Sequence, residues 1–518
     1  MLKSLSLTPD RRNILILTVA ALVLGLVSLG NVPLRDFDEG YYATVAQDTY
    51  LRGDWRFPTY HGQGFLLKPP LIVWLISLSY SLFGINEFST RLPMAVLSAL
   101  AVPLLYGIGR ELFRERQAAL YSAVILLTLL PVVRLGRLAM LDGMINSFLL
   151  WSLLCLLKGR KNSRWLMGIG FGLGAIALCK GVIVVVLGGL LGIAGVWIGA
   201  GKLLQRWQLW LGLLLGFAPV LWWYGLQGSH YGDVFWQIHF QSQSFDRLAT
   251  AVEGNSGPVW FYVGEIGKYT APWLFFFVPA VWITVQRWRE DWAKVCLCLG
   301  LGFLAIISAM TTKLPWYLLP SYPFLALMGG YYVADLSAKK RYPPLIGYLL
   351  GLTTLLVFIA GIYLGFSEKQ AVITAIAIVL SSGLGYATKQ YFHASPRFMG
   401  GIVAGLYGGL LLLMISPLWN WEVNEAFPVL PVGNLVKQNT PVQTIVYTSF
   451  AYSRPSLDFY GDRQVLAEND DRLRELARQG NYLLLDAAAT ERLALQDLQW
   501  RGQAGEFTLF FSPAVSVR

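Results

Sequence analysis

The sequence predicts an all-α polytopic membrane protein of about thirteen transmembrane helices, with interfacial helices on its outer face and a small C-terminal α/β domain. Three observations predict it. Of 518 residues, 55% are hydrophobic and only 14% charged, with mean hydropathy +0.52, whereas soluble domains carry about 25% charged residues. Apolar runs of transmembrane character recur from residue 13 to residue 418. After residue 418 the composition changes to short apolar strands and charged helical segments.

The apolar runs lie near 13–30, 71–84, 93–110, 117–134, 138–157, 163–179, 181–200, 207–226, 272–287, 293–311, 315–335, 343–365, 371–388 and 399–418. Run 71–84 spans only about 21 Å at 1.5 Å per residue, short of the roughly 30 Å hydrocarbon core. Loop charge decides its place. With 71–84 not crossing and the basic N-terminus (Lys3, Arg11, Arg12) cytoplasmic, the inside loops are RELFRERQ, KGRKNSRW, GKLLQRWQ, QRWREDWAK, SAKKRYPP and TKQYFHASPRF, all basic. The outside connections CKG, TTKLP and GFSEKQ carry one lysine each. A crossing at 71–84 would invert that pattern, so thirteen spans are expected and 71–84 is an interfacial or re-entrant helix. The expected location is an inner or plasma membrane. Residues 1–418 form the transmembrane domain, with outer-face loops at 31–92 and 227–271, and residues 419–518 an extracytoplasmic α/β domain.

The tail contains TIVYTS and NYLLLDA, which read as buried strands, and NDDRLRELARQ, a helix with an acidic start and basic end. RPSLDFYGDR could touch a ligand, but reads first as an ordinary strand-to-helix connection. Net charge is +11. Positive-inside loops account for it, and no soluble basic face points to nucleic acid. Cys155, Cys179, Cys296 and Cys298 all lie in apolar runs and read as packing residues.

The chemistry-bearing residues fall on the outer side. In RDFDEGYYATVAQDTYLRGDW, Asp38 is placed to cap a short amphipathic helix from about residue 39 to 52, with Gly53 just past its end. Tyr42, Val45, Ala46 and Thr49 share one face. Asp36, Asp38 and Glu39 cluster beside a membrane span, where desolvating a charge is costly. Lys68 stands before Pro69 and Pro70 at headgroup depth, either snorkelling or meeting a lipid phosphate. Asp142 opens an apolar helix as a cap candidate, near the outside arginines Arg134 and Arg137, which suggest a paired network or anion site. The loop 227–271 adds aromatics and His239; the turn TTKLP adds Lys313. Together these groups suit a reaction on a phosphate-bearing lipid.

The segments DFDEGYYATVAQDTYLRGDW, LLKPPLIVWLISLSYSLFGINEFSTRLP, AMLDGMINSF and TTKLPWYLLPSYPFLAL, in this order, resemble glycosyltransferase family 39 and its relatives. These include the protein O-mannosyltransferases and the bacterial aminoarabinose transferase of lipid A. The resemblance runs from about residue 13 to 335. It implies a GT-C fold, a polyprenyl-phosphate sugar donor, and transfer with inversion at the outer leaflet to a lipid, glycan or protein acceptor. It assigns Asp38 as base or acceptor-orienting group, Glu39 as its partner, Asp142 as a second catalytic carboxylate, and Lys68 as the donor-phosphate lysine. Arg137 and Lys313 are further candidates for the phosphate, and Tyr42 and His239 for substrate. A divalent metal ion is compatible with the resemblance. However, Leu67 replaces the acid that precedes Lys-Pro in the aminoarabinose branch, and Tyr41 stands where an arginine is frequent. Both departures argue against a metal site on that acid and against assuming lipid A as acceptor.

The chemistry agrees independently. A phosphate leaving group needs charge stabilisation, and an acceptor hydroxyl needs a carboxylate to orient it and take its proton. A lipid or sugar transporter is the alternative, but transporters favour midplane ionisable groups and repeat-related halves.

Overall fold

A computed structural model describes residues 8–245, 254–421, 427–450 and 453–514. The expected N-terminal Lys3 and residues 246–253 of the 227–271 loop lie outside the described residues. The chain divides into two compact units. The first comprises Met1–Leu29, Leu66–Ile72 and Leu92–Trp419. The second comprises Gly30–Phe65, Val73–Arg91 and Asn420–Arg518.

All fourteen apolar runs fall on helices. Among the described residues, seven helices are long and apolar enough to cross a membrane: Glu87–Leu112, Leu141–Gly159, Trp207–Tyr231, Asp291–Ala309, Pro344–Ser367, Ala371–Phe392 and Phe398–Ile415. The run expected as one span over 117–134 is instead two helices, Arg116–Leu127 and Leu130–Arg137, bent by 56°. Pro131 explains the break: it has no N–H to donate to the Leu127 carbonyl, so the first helix cannot run on through it, and the second restarts with Pro131 in its first turn. Leu71–Phe83, Ile183–Trp197 and Leu274–Gln286 are apolar but shorter.

Glycines of the segment GFGLGAIALCKG are close-packing positions. A Cβ on Gly170 would collide with the Gly212 carbonyl, and one on Gly174 with that of Gly216. The helices Met167–Lys180 and Trp207–Tyr231 therefore meet backbone to backbone.

In the second unit, Asp38–Arg52 is a helix ended by Gly53 in the left-handed region (φ 71°), as expected. Its cap is not. Phe37 is the cap residue, and Asp38 lies in the first turn, where a carboxylate is favoured by the helix dipole without capping it. A short hairpin follows, β1 (Thr59–Tyr60) and β2 (Gln63–Gly64). The tail forms a mixed sheet from β3 (Ile445–Thr448), β4 (Gln464–Ala467), β5 (Tyr482–Asp486), β6 (Gln499–Ala504) and β7 (Phe507–Phe511). The order is β4-β3-β5-β7-β6, parallel around β3 and antiparallel around β7. Both faces are covered. Leu484 joins Val446 and Leu509 in one apolar cluster, while Leu483 and Leu485 join Leu473 and Ala489 in the other, following the two-residue strand period.

Candidate functional site

The first unit contains a cavity of about 170 Å³ lined mostly by apolar side chains, among them Ile145, Ile183, Phe303 and Ile307. Its polar lining is Lys68, Asp142, Lys180, His239 and Tyr317. Each is delivered by a local feature of the sequence. Asp142 stands in the first turn of Leu141–Gly159, where the helix dipole favours an anion. Met140, not Asp142, is that helix's cap residue, which corrects the expectation of a simple cap. Lys180 ends Met167–Lys180, where the dipole favours a cation. Gly181 terminates that helix at φ 55°, and a Cβ there would lie 2.9 Å from the Tyr224 hydroxyl.

The two helix ends are joined by an ion pair. Lys180 Nζ donates to Asp142 Oδ1 at 2.7 Å, with both side chains largely buried. The same ammonium sits 4.5 Å from the Tyr317 ring centroid, a cation–π distance. Sequence reasoning missed Lys180, grouping it with plain outside connections. The available signal was a lone lysine closing an apolar helix on the same expected side as Asp142.

His239 acts through its two ring nitrogens. Nδ1 lies 3.0 Å from the Leu66 carbonyl, which only accepts, so Nδ1 carries the proton. Burial pushes the ring's pKa down to about 4, opposed by the bond to Leu66 and assisted by the charge of Lys68. The ring is therefore neutral at pH 7, and Nε2 accepts from the Tyr224 hydroxyl at 2.8 Å. His239 thus pins the backbone two residues before Lys68 rather than exchanging protons near neutrality.

Two expected phosphate ligands are engaged elsewhere. Arg137 is fully buried, donates to the carbonyls of Leu24 (2.6 Å) and Val27 (2.7 Å), and lies over the Trp419 ring. Arg134 donates to the Trp419 carbonyl at 2.9 Å. Lys313 Nζ donates to the carbonyls of Ile307 (3.2 Å), Ser308 (2.7 Å) and Met310, capping the helix Phe303–Ala309. Neither Arg137 nor Lys313 lines the cavity. Both cations instead serve backbone carbonyls near helix ends, which a cation satisfies as well as water does.

In the second unit, Glu39 is fully buried and clamped. Arg91 Nε and Nη2 donate to its two carboxylate oxygens at 2.8 and 2.7 Å, and Arg35 N–H adds a bond at 3.0 Å. The Arg91 guanidinium also donates to the carbonyls of Val32 and Pro33. Glu39 therefore holds the turn around Asp38 in place. Tyr42, expected at substrate, is 4% exposed and meets Phe65 edge-on. Among the described residues no group of three or more His, Cys, Asp or Glu could hold a metal ion. His239 spends both nitrogens on protein partners and residue 67 is leucine, so the residues present do not fit a metal there.

Comparison with known proteins agrees with this architecture. Residues 67–223 match the family described as dolichyl-phosphate-mannose-protein mannosyltransferase. An uncharacterized protein of Aquifex aeolicus is 24% identical over 91% of this chain and 92% of its own length. An undecaprenyl phosphate-alpha-4-amino-4-deoxy-L-arabinose arabinosyl transferase of Pseudomonas fluorescens is 26% identical over 64% of this chain; the match spans 62% of that relative. The crystal structure of ArnT from Cupriavidus metallidurans bound to undecaprenyl phosphate superposes with TM-score 0.83, at 18% identity, over 97% of this chain and 98% of that one. This chain has the GT-C fold. The likeness to family 39 and to the aminoarabinose transferases that the motifs suggested is present in sequence as well. In this GT-C chain the family-matched residues 67–223 include Lys68, Asp142 and Lys180 of the cavity.

Proposed function

We propose that this chain is a glycosyltransferase that moves a sugar from a polyprenyl-phosphate donor to an acceptor hydroxyl at the outer face of the membrane, with inversion. The observation that carries the reading is the cavity: two lysines, a carboxylate, a histidine and a tyrosine in a wall that is otherwise apolar. A lipid phosphate matches the lysines, and an apolar wall suits the first isoprene units attached to it.

In the reaction, the bond between the sugar C1 and the phosphate oxygen breaks, and its electron pair leaves on the phosphate. Lys68, held before two prolines, and Lys180 stabilise that charge. Their effect is strengthened by the mostly apolar wall, and Lys180 is held at the cavity by Asp142 before donor arrives. Asp142 orients Lys180 and exchanges it for the phosphate when donor is bound. The acceptor oxygen attacks C1 from the opposite face, and its proton passes to the Asp38 carboxylate. Positioned carboxylates of this kind contribute about 10²–10⁴-fold. Glu39 keeps the Asp38 turn fixed through Arg91. The thirteen-crossing arrangement, with the N-terminus cytoplasmic and the tail outside, belongs to the same proposal and rests on loop charge.

Asp38→Asn tests it. The variant is expected to insert and bind undecaprenyl phosphate normally while losing at least 100-fold in polyprenyl phosphate release. Near-normal turnover would remove Asp38 from the role of base.

A further inference from the structure

The motif RPSLDFYGDR has no part in the account above. In the second unit it forms the short helix Pro455–Gly461, and that helix grips the acidic segment around Asp38 at four places. Asp36 is buried and accepts from the Ser456 backbone N–H at 2.8 Å and from the Ser456 hydroxyl at 2.7 Å, with the Arg454 guanidinium 3.6 Å away. Leu34 N–H donates to the Tyr460 hydroxyl at 2.8 Å, and that hydroxyl donates onward to Glu87 at 2.9 Å. The Thr44 hydroxyl lies 3.1 Å from the Pro455 carbonyl. At Gly40 the backbones themselves touch. A Cβ there would collide with Ser456 N and lie 2.7 Å from Ser456 Cα.

Asp38 sits between Asp36 and Gly40, both fixed by the same helix. Burying a carboxylate against a hydroxyl is no more stabilising than packing hydrocarbon there, so stability alone does not account for the clasp. What the polar clasp adds is direction. Two hydrogen bonds to one serine define the orientation of the turn, and the bare glycine contact removes its slack. Orientation matters here, since a displacement of about 1 Å at a reacting group costs roughly 100-fold in rate.

We propose that Ser456, together with Asp36 and Gly40, is a positioning residue for sugar transfer: the helix Pro455–Gly461 of the C-terminal domain holds the turn that presents Asp38. The inference rests on Asp38 acting as base.

The test uses the full chain in lipid nanodiscs, with a membrane lipid extract as donor and acceptor source and polyprenyl phosphate release as readout. Undecaprenyl phosphate binding and amide hydrogen exchange are measured alongside. Ser456→Ala and Asp36→Ala should each lower kcat at least tenfold, with KM and undecaprenyl phosphate Kd within twofold of wild type. Asp36→Asn keeps an acceptor for the Ser456 N–H and should recover most of the rate. Exchange should rise in residues 34–44 and stay unchanged in the helices of the first unit. Wild-type kcat in both alanine variants, with Asp38→Asn inactive, would overturn the positioning role and leave the base intact. Wild-type rates in Asp38→Asn would instead overturn the base. Exchange rising across both units together with lost binding would mark Ser456 as a stability residue only and also end the proposal. Ser456→Ala deletes a single hydroxyl, so the test stands even if Asp36→Ala fails to fold.

Discussion

Truncating Glu39 exposes how the acidic turn is held. Glu39→Ala removes a carboxylate that receives two bonds from Arg91 and one from Arg35 N–H, in a place with no solvent access. The Arg91 guanidinium would stay buried with its carbonyl partners but without the carboxylate that pairs with it directly. Breaking one side of a buried ion pair costs about 3–5 kcal/mol, mostly the penalty of the stranded charge. Replacing both partners, as Glu39→Met with Arg91→Met, strands no charge, only the neutral Arg35 N–H and the Val32 and Pro33 carbonyls, and should cost less than the single change. Unfolding of the reconstituted wild type, Glu39→Met, Arg91→Met and the double variant, followed with hydrogen exchange over residues 32–40, gives the four corners of the cycle, and Glu39→Ala is measured beside them. The reasoning fails if Glu39→Ala loses under about 1 kcal/mol, or if the double variant is the less stable one.

Lys180→Met should weaken undecaprenyl phosphate binding by roughly 10–100-fold, the worth of one charge-assisted hydrogen bond, in a titration against the reconstituted protein. Lys313→Gln should destabilise by about 1–3 kcal/mol through uncapped carbonyls while leaving that affinity within twofold; a large loss of affinity would return Lys313 to the phosphate. Because the His239 ring is held at about 4 against an ordinary 6.5, the unfolded chain binds the extra proton between those values, so stability is complete above pH 6.5 and falls on acidification toward pH 4. The full difference is about 3 kcal/mol, and His239→Asn should flatten the pH profile of stability in that window.

The apolar helices were legible because apolar runs mark them directly, though among the described residues seven, or eight with the bent pair, are long and apolar enough to cross, against the thirteen expected, and Pro131 could have announced the break between Leu127 and Leu130. Gly53 was legible for the same local reason, since a helix of this kind ends on a left-handed residue. The hairpin of β6 and β7 was not, because QWRGQA lacks a clear apolar alternation and gains its place only by pairing with Phe507–Phe511. The site was legible in part. Lys68 and Asp142 stood out as charges in apolar surroundings, and both line the cavity. Lys180 did not, because loop-charge counting treats a lysine at a helix end as topology. Partners far apart in sequence stayed hidden altogether. Glu39 finds Arg91 across 52 positions, and Asp36 finds Ser456 across 420. Arg137 and Lys313 donate to backbone carbonyls, and a buried cation in that service has the same sequence signature as one awaiting an anion.

Mass spectrometry of membrane lipids and envelope glycans, from cells carrying the wild-type chain or Asp38→Asn, addresses the central claim most directly. The account predicts that the variant accumulates a polyprenyl-phosphate-linked sugar and that one glycolipid, glycan or glycoprotein class loses the mass of that same sugar. Identical profiles in the two strains, with both proteins present in the membrane, would contradict it.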